Sequence, residues 1–458
     1  MFRKMTVKQT QTQMALDKTG TISSLSSRGA PLATTSARVD MELFMEAAQN
    51  RYDPEENPKG AFPLNIAENA LMIPFLKARL DAILKEREIP EWAFQYTDPN
   101  GHPEVREVMA QFMEKHLCKR PIDPDSIAFS AGAAATIETS AFMLADAGDV
   151  VAIPAPAYPM YTNDLGLKSG LQRYDIQTHY DLAGHGSISP LSTKHLDEAW
   201  ADINRKGHRF KILLLTSPDN PTGCMYSTKQ LKEIAQWCID HKVHLVVSEI
   251  YGLSLIDVDD DDLRMDYDKV DIPHSFAQIM AEHQSDYLHL WYALSKDFAM
   301  SGFRFGILHS LNEALLRGLG NVNIPHMVSN LNQWLIGELM KDHGFIARYI
   351  EHNKKQLTQS YKAVVRALHK IDAPYVPSRG SLFVWADFSK YLKREDQKGE
   401  EELWTDIYHN TGVLLTPGTG FQHQKRGLFR IVYTALPQSH LEVAMGRLTD
   451  YFRGDRSW

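Results

Sequence analysis

The sequence predicts an α/β protein built on a mostly parallel sheet, and three observations carry that expectation. Lys211–Thr216 and Val243–Ser248 are short, almost unbroken apolar runs, the pattern of strands covered on both faces. Between them, Ser227 and Gln230 form a capping pair for a helix reaching about His241. Strand, helix and strand in that order specify a right-handed parallel unit. Further apolar runs recur at Ile127–Phe129, Asp149–Pro154 and Tyr287–Trp291, each followed by small or polar residues. Ligands of such sheets bind in the loops at the carboxyl ends of the strands.

Bulk properties narrow the class. A chain of 458 residues suits one large α/β unit with a smaller one beside it. The formal net charge of -8 argues against a nucleic-acid surface. No apolar run is long enough to span a bilayer, so no membrane partner is expected. Cys118, Cys224 and Cys238 show neither metal-ligand spacing nor a disulfide framework, which points to a reducing, cytoplasmic compartment.

Taken in order, residues 1–40 are rich in Ser and Thr and read as a flexible arm. Arg38–Arg51 carries a helical pattern through Val39, Leu43, Phe44 and Ala47, ended by Pro54, Pro58, Gly60 and Pro63. Leu64–Leu71 is a turn entering a helix, where Glu68 sits as a carboxylate favoured by the helix dipole. Phe94–Pro103 is a turn-rich loop containing Tyr96, before a helix from Glu104 to Leu117. After the strand Ile127–Phe129, the small residues Gly132, Ala133 and Ala134 lead into an apolar helix. Such a start either offers N–H groups to an anion or packs tightly on the sheet.

Tyr158 lies between prolines after the strand Asp149–Pro154, and Asn220 lies in a sharp turn after Lys211–Thr216. The next strand ends Ser248-Glu249-Ile250-Tyr251. Asp257–Asp262 lacks the glycine and terminal glutamate of a calcium loop and reads as a solvated loop. Long helices are expected over His326–His343 and His352–Ile371. Strands are expected at Arg379–Trp385 and Gly427–Tyr433, the second holding Arg430, which must find an anion if buried.

The chemistry centres on Tyr292–Gly306. Lys296 leaves a buried strand beside Ser295, and a desolvated lysine with a lowered pKa is a nucleophile for carbonyl groups. Arg304 follows between Gly302 and Gly306, where small neighbours let a guanidinium approach a phosphate.

This Ser-Lys-to-Arg-x-Gly pattern resembles the cofactor-lysine segment of fold-type I pyridoxal-phosphate (PLP) enzymes. The similarity is to the class I/II aminotransferases, and among them to 1-aminocyclopropane-1-carboxylate (ACC) synthases. It runs from about Leu64 to Tyr433. The resemblance implies a large domain of residues 91–329, with a mostly parallel seven-stranded-type sheet, and a small α+β domain of residues 41–90 and 330–458. It implies PLP on Lys296, ring stacking by Tyr158, and phenolic-oxygen contacts from Asn220 and Tyr251. It also implies a phosphate cradle of Ala133, Ala134, Ser295 and Arg304, and a homodimer in which Tyr96 reaches the partner's cofactor. Glu68 and Arg430 would bind the substrate, an α-amino acid, Arg430 through its carboxylate.

Four departures matter. Pro99 stands where ACC synthases place a tyrosine. Ala134 and Ala293 replace family hydroxyls near the phosphate. Ser248 replaces the aspartate that pairs with the pyridine nitrogen. A neutral serine weakens the cofactor as an electron sink, which tilts the expected chemistry toward β/γ elimination or substitution, such as C–S cleavage, in a specialised pathway. An ordinary aminotransferase and a catalytically degenerate binding protein stay open as alternatives.

Overall fold

The computed structural model describes residues 24–34, 38–180, 182, 187–264 and 267–455. Most of the expected arm lies outside these residues; its described part includes a helical turn, Gly29–Leu32. The expected helix after it spans Met41–Gln49.

In chain order the strands are β1 (Phe62–Pro63), β2 (Ile127–Ser130), β3 (Val150–Ala155), β4 (Gln172–Gln177), β5 (Phe210–Thr216), β6 (His244–Ser248) and β7 (Leu288–Ala293). They continue with β8 (Gly306–Ser310), β9 (Tyr375–Val376), β10 (Phe383–Asp387), β11 (Val413–Leu414), β12 (Thr416–Pro417) and β13 (Leu428–Val432). Seven of them form one sheet in the order β2-β8-β7-β6-β5-β3-β4. Only β8 runs against its neighbours. The carboxyl ends of β2, β3, β5, β6 and β7 therefore share one edge with the amino end of β8. That edge gathers residues 133, 158, 216, 248, 295 and 304 from distant parts of the chain. Strands β3, β7 and β8 are buried along their whole length, which explains their lack of polar alternation.

A second, antiparallel sheet has the order β12-β13-β10-β9. Its central register sets Arg430 opposite Trp385 on one side and Thr416 on the other. Strand β1 pairs with β11, and Leu64 also donates to Leu414 O at 2.9 Å. This binds the segment before Asn65 to the C-terminal layer. The sequence boundaries at 90 and 330, by contrast, fall inside one apolar core. Leu76, Leu80 and Ile83 of the helix Ile73–Glu86 join Trp334, Leu335 and Ile336 of the helix Asn330–Lys341 in the cluster that covers the large sheet. The following helix, His343–Lys370, starts nine residues earlier than its sequence pattern suggested, because Asp342 caps it by accepting from Phe345 N at 2.9 Å. The acidic loop is solvated as expected, with Lys362 bridging Asp260 and Asp262 at 2.8 and 2.6 Å.

One buried carboxylate ties the edge together. Asp297 accepts from Leu253 N at 2.9 Å, Ser254 Oγ at 2.6 Å and Tyr292 OH at 3.0 Å. Burial pushes its pKa up to about 7 against the lowering effect of these donors. It thereby clamps the turn after Tyr251 to the turn that carries Lys296. Asp297→Ala would strand three buried donors, at about 1–3 kcal/mol each. We expect the thermal midpoint to fall by several degrees, measurable by differential scanning calorimetry.

Candidate active site

The edge opens into a cleft of about 950 Å³, part of it open to solvent. Every site residue expected from the sequence lines it except Tyr96. Tyr96 is fully exposed on the surface, two residues beyond Phe94, which is also exposed.

Lys296 stands at the floor on the short helix Leu294–Asp297 that follows β7. Its Nζ donates to Ala67 O at 2.6 Å. Desolvation lowers its pKa to about 8; Glu68 acts against this, while Arg430, Arg304 and Arg38 reinforce it. A lysine so placed holds a useful fraction of free amine near neutrality.

At one end of the cleft, Arg304 adopts a left-handed backbone (φ 55°) and donates from Nη1 to Ser301 O at 2.9 Å. Its guanidinium lies directly over Gly132, where a Cβ would come within 2.3 Å of Nη2. Gly132 (φ 87°) precedes the helix Ala133–Leu144, so its first N–H groups, the guanidinium and Ser295 converge. This is the donor set of an anion site.

At the other end, the Arg430 guanidinium is buried and sits 4.9 Å from the Phe383 ring centre and 5.2 Å from that of Phe421. It donates to Asn220 Oδ1 at 2.9 Å, Asn65 O at 2.7 Å and Thr416 Oγ1 at 3.3 Å. All three acceptors are neutral, and its Nε has no partner. Desolvation lowers its pKa to about 10. A buried cation without a counter-ion is costly unless a ligand anion completes it.

Between these ends Tyr158 walls the cleft, and Tyr251 packs edge-on to Phe383 at 5.3 Å. Below them the cleft is lined by hydroxyl groups. Tyr161 OH is hydrogen-bonded to Thr216 Oγ1 at 2.9 Å, and Ser248 lines the cleft beside them. Burial raises the Tyr161 pKa well above its ordinary value, so the three groups remain uncharged hydroxyls. Sequence reading missed Tyr161 and Thr216, although the strand register pairs Thr216 with Ser248 directly. It also missed Arg38, which lay in the stretch read as an arm.

Comparisons with known proteins bear on the family and the fold. A family profile, "Aminotransferase class I and II", matches residues 64–448. The chain belongs to the class I and II aminotransferase family. Class I/II relatives include 1-aminocyclopropane-1-carboxylate synthase 2 of Oryza sativa subsp. japonica, 30% identical over 88% of this chain and 83% of that protein. The Arabidopsis thaliana 1-aminocyclopropane-1-carboxylate synthase 7 is 28% identical, over 88% of this chain and 89% of its own length. Among solved structures, a Thermus thermophilus aspartate aminotransferase mutant superposes with a TM-score of 0.72 at 18% identity, covering 93% of this chain and 98% of that one. An archaeal alanine:glyoxylate aminotransferase reaches 0.75 at 16%, covering 94% and 98%. These structures share the fold-type I architecture. The protein is therefore a PLP-dependent enzyme of this family, and the reading as a binding protein is set aside. The cleft fits the cofactor: it offers a depressed lysine amine and a donor cradle that any Cβ at residue 132 would fill.

Gly132→Ala would drive a methyl group into the Arg304 guanidinium at a backbone angle that disfavours alanine. We expect at least tenfold weaker PLP binding in a fluorescence titration, with the fold intact by circular dichroism. Competitive acetylation of Lys296 in the apoprotein, followed by mass spectrometry across pH, should show a midpoint near 8. Glu68→Gln removes the anion that favours the ammonium, so the midpoint should move to lower pH.

Proposed function

We propose that this enzyme acts on an α-amino acid by removing its α-proton and then expelling or replacing a β or γ substituent, as in C–S bond cleavage within a specialised pathway. The observation that supports this best is the neutral hydroxyl floor of Ser248, Tyr161 and Thr216.

The proposed residue roles follow from their positions. Ala133, Ala134, Ser295 and Arg304 would hold the PLP phosphate. Tyr158 would cover one face of the ring, and Asn220 and Tyr251 would meet its phenolic oxygen. Ser248 would face its ring nitrogen. Bound PLP supplies a conjugated sink for the electron pair released when a bond at the substrate Cα breaks. Arg430 holds the substrate carboxylate, for which its buried guanidinium lacks any charged protein partner. Glu68 faces the same space and meets the cationic part of the substrate. The Lys296 amine takes the α-proton as general base, a role its pKa near 8 suits at neutral pH. A buried carboxylate at residue 248 would keep a proton on the ring nitrogen and strengthen the sink. Neutral hydroxyls do not, so a substrate that sheds its negative charge with a leaving group is served better than one that must wait for reprotonation.

The family is typically dimeric, and we propose a homodimer in which the exposed Tyr96 reaches the partner's cleft. No described helix is long and apolar enough to cross a membrane. The three free, buried cysteines support a cytoplasmic setting.

Assays of the holoenzyme with S-substituted cysteine and homocysteine derivatives test the proposal. We expect release of 2-oxo acid and ammonia without added keto acid. Keto-acid-dependent amino transfer as the dominant activity would overturn it in favour of an ordinary aminotransferase. Ser248→Asp should shift the product ratio toward amino transfer. An unchanged ratio and an unchanged cofactor absorbance would show that Ser248 does not meet the ring nitrogen.

A further inference from the structure

We infer that Asp40 is a positioning residue for the substrate carboxylate: through Asn65 it fixes the carbonyl oxygen on which the Arg430 guanidinium is aligned. The inference rests on the reading of Arg430 as the carboxylate site and extends that site to a residue behind the cleft wall.

Three protein acceptors set the plane of the Arg430 guanidinium: Asn220 Oδ1 at 2.9 Å, Asn65 O at 2.7 Å and Thr416 Oγ1 at 3.3 Å. Two of them sit on side chains that can rotate. The shortest bond goes to Asn65, whose acceptor is a backbone oxygen and moves only if the chain moves. The same oxygen also accepts from Thr416 Oγ1 at 3.2 Å, so Asn65 O places two of the groups around Arg430 at once.

Two sets of bonds hold that peptide. Ahead of it, Leu64 N donates to Leu414 O at 2.9 Å and Leu64 O accepts from Val432 N at 3.0 Å, which ties the chain to the C-terminal layer. At Asn65 itself the tether is the side chain: Nδ2 donates to Asp40 Oδ2 at 2.7 Å, while Oδ1 is buried without a partner. Asp40 is buried too, and Arg38 forks onto it, Nε to Oδ1 at 2.8 Å and Nη2 to Oδ2. The fork compensates the buried carboxylate and fixes its orientation. Desolvation lowers the Arg430 pKa and Tyr251 raises it; behind them Arg38 and Asp40 act in opposite directions. Their charges therefore oppose each other at Arg430, and what Asp40 contributes there is alignment. Arg430 lines the cleft, whereas Asp40 and Asn65 stand behind its lining, so Asp40 acts on a ligand through Arg430. Misplacing a substrate-holding group by about 1 Å costs up to about a hundredfold.

The probes that test this role are 2-aminoisobutyrate, an α-amino acid with no α-proton, and its carboxamide, which lacks the charge. Their affinities for the holoenzyme are read from cofactor absorbance. The wild type should prefer the acid. Asp40→Ala should cut that preference about tenfold, with the carboxamide affinity moved less than about twofold. Asn65→Ala breaks the same tether from its other end without unpairing Arg38. It should cut the preference equally, and it covers the case in which Asp40→Ala fails to fold. Asp40→Asn keeps an acceptor for the Asn65 amide and should restore most of the preference. Arg430→Gln should lower the preference at least as far as Asp40→Ala, and adding Asp40→Ala to it should lower it no further. Full preference retained in the folded Asp40→Ala or Asn65→Ala protein, or an equal loss with and without Arg430, would overturn the inference and leave the Arg430 reading standing. Full preference retained in Arg430→Gln would overturn both.

Discussion

The structure depends on keeping one guanidinium charged while it is buried among neutral hydrogen-bond acceptors. Arg430 meets that constraint by drawing three separate segments around itself: the turn at Asn65, the turn at Asn220 and the strand β12 at Thr416. Two aromatic faces, Phe383 and Phe421, supply further attraction for the cation. The C-terminal sheet, the loop ends of the large sheet and the N-terminal segment are thus referenced to a single group. What its direct partners leave unpaired is its charge, which a ligand anion would complete. The protein invests stability in a vacancy of charge, which is how a binding site differs from a core.

The same logic sets Lys296. Its pKa is lowered to about 8 by desolvation first and by three arginines after it, and Glu68 pulls the other way. The cleft is therefore cationic at both ends and reactive in the middle. Asp297, directly after Lys296, bonds two turns and a tyrosine while its own burial raises its pKa to about 7. Position and proton affinity are governed by different features: Asp297 fixes where the lysine turn lies, and desolvation, reinforced by the arginines, lowers the amine's pKa.

Much of this was legible in the chain. The capping pair Ser227 and Gln230 forms as expected, each side chain bonded to the other's backbone. The apolar runs became buried strands because a sheet covered on both faces leaves no reason for alternation. The antiparallel β8 was not legible, since a strand buried along its whole length carries no mark of its direction; yet that reversal is what brings Arg304 to the working edge. The partner face of the helices near residues 90 and 330 was not legible either. Amphipathic helices such as Ile73–Glu86 show that they bury one face, not which sheet they bury it against.

The sequence by itself determined the strand–helix rhythm, the lysine and arginine motifs, and the serine in place of an acid at residue 248. These are local properties: periodicity, spacing and residue identity survive in one dimension. Only the tertiary structure decided that Tyr161 and Thr216 share the floor with Ser248, and that Arg38 and Arg430 meet at one carbonyl oxygen. Those partners are separated by tens to hundreds of residues. Their proximity follows from strand register and from desolvation in a closed cleft, which exist only once the chain has folded.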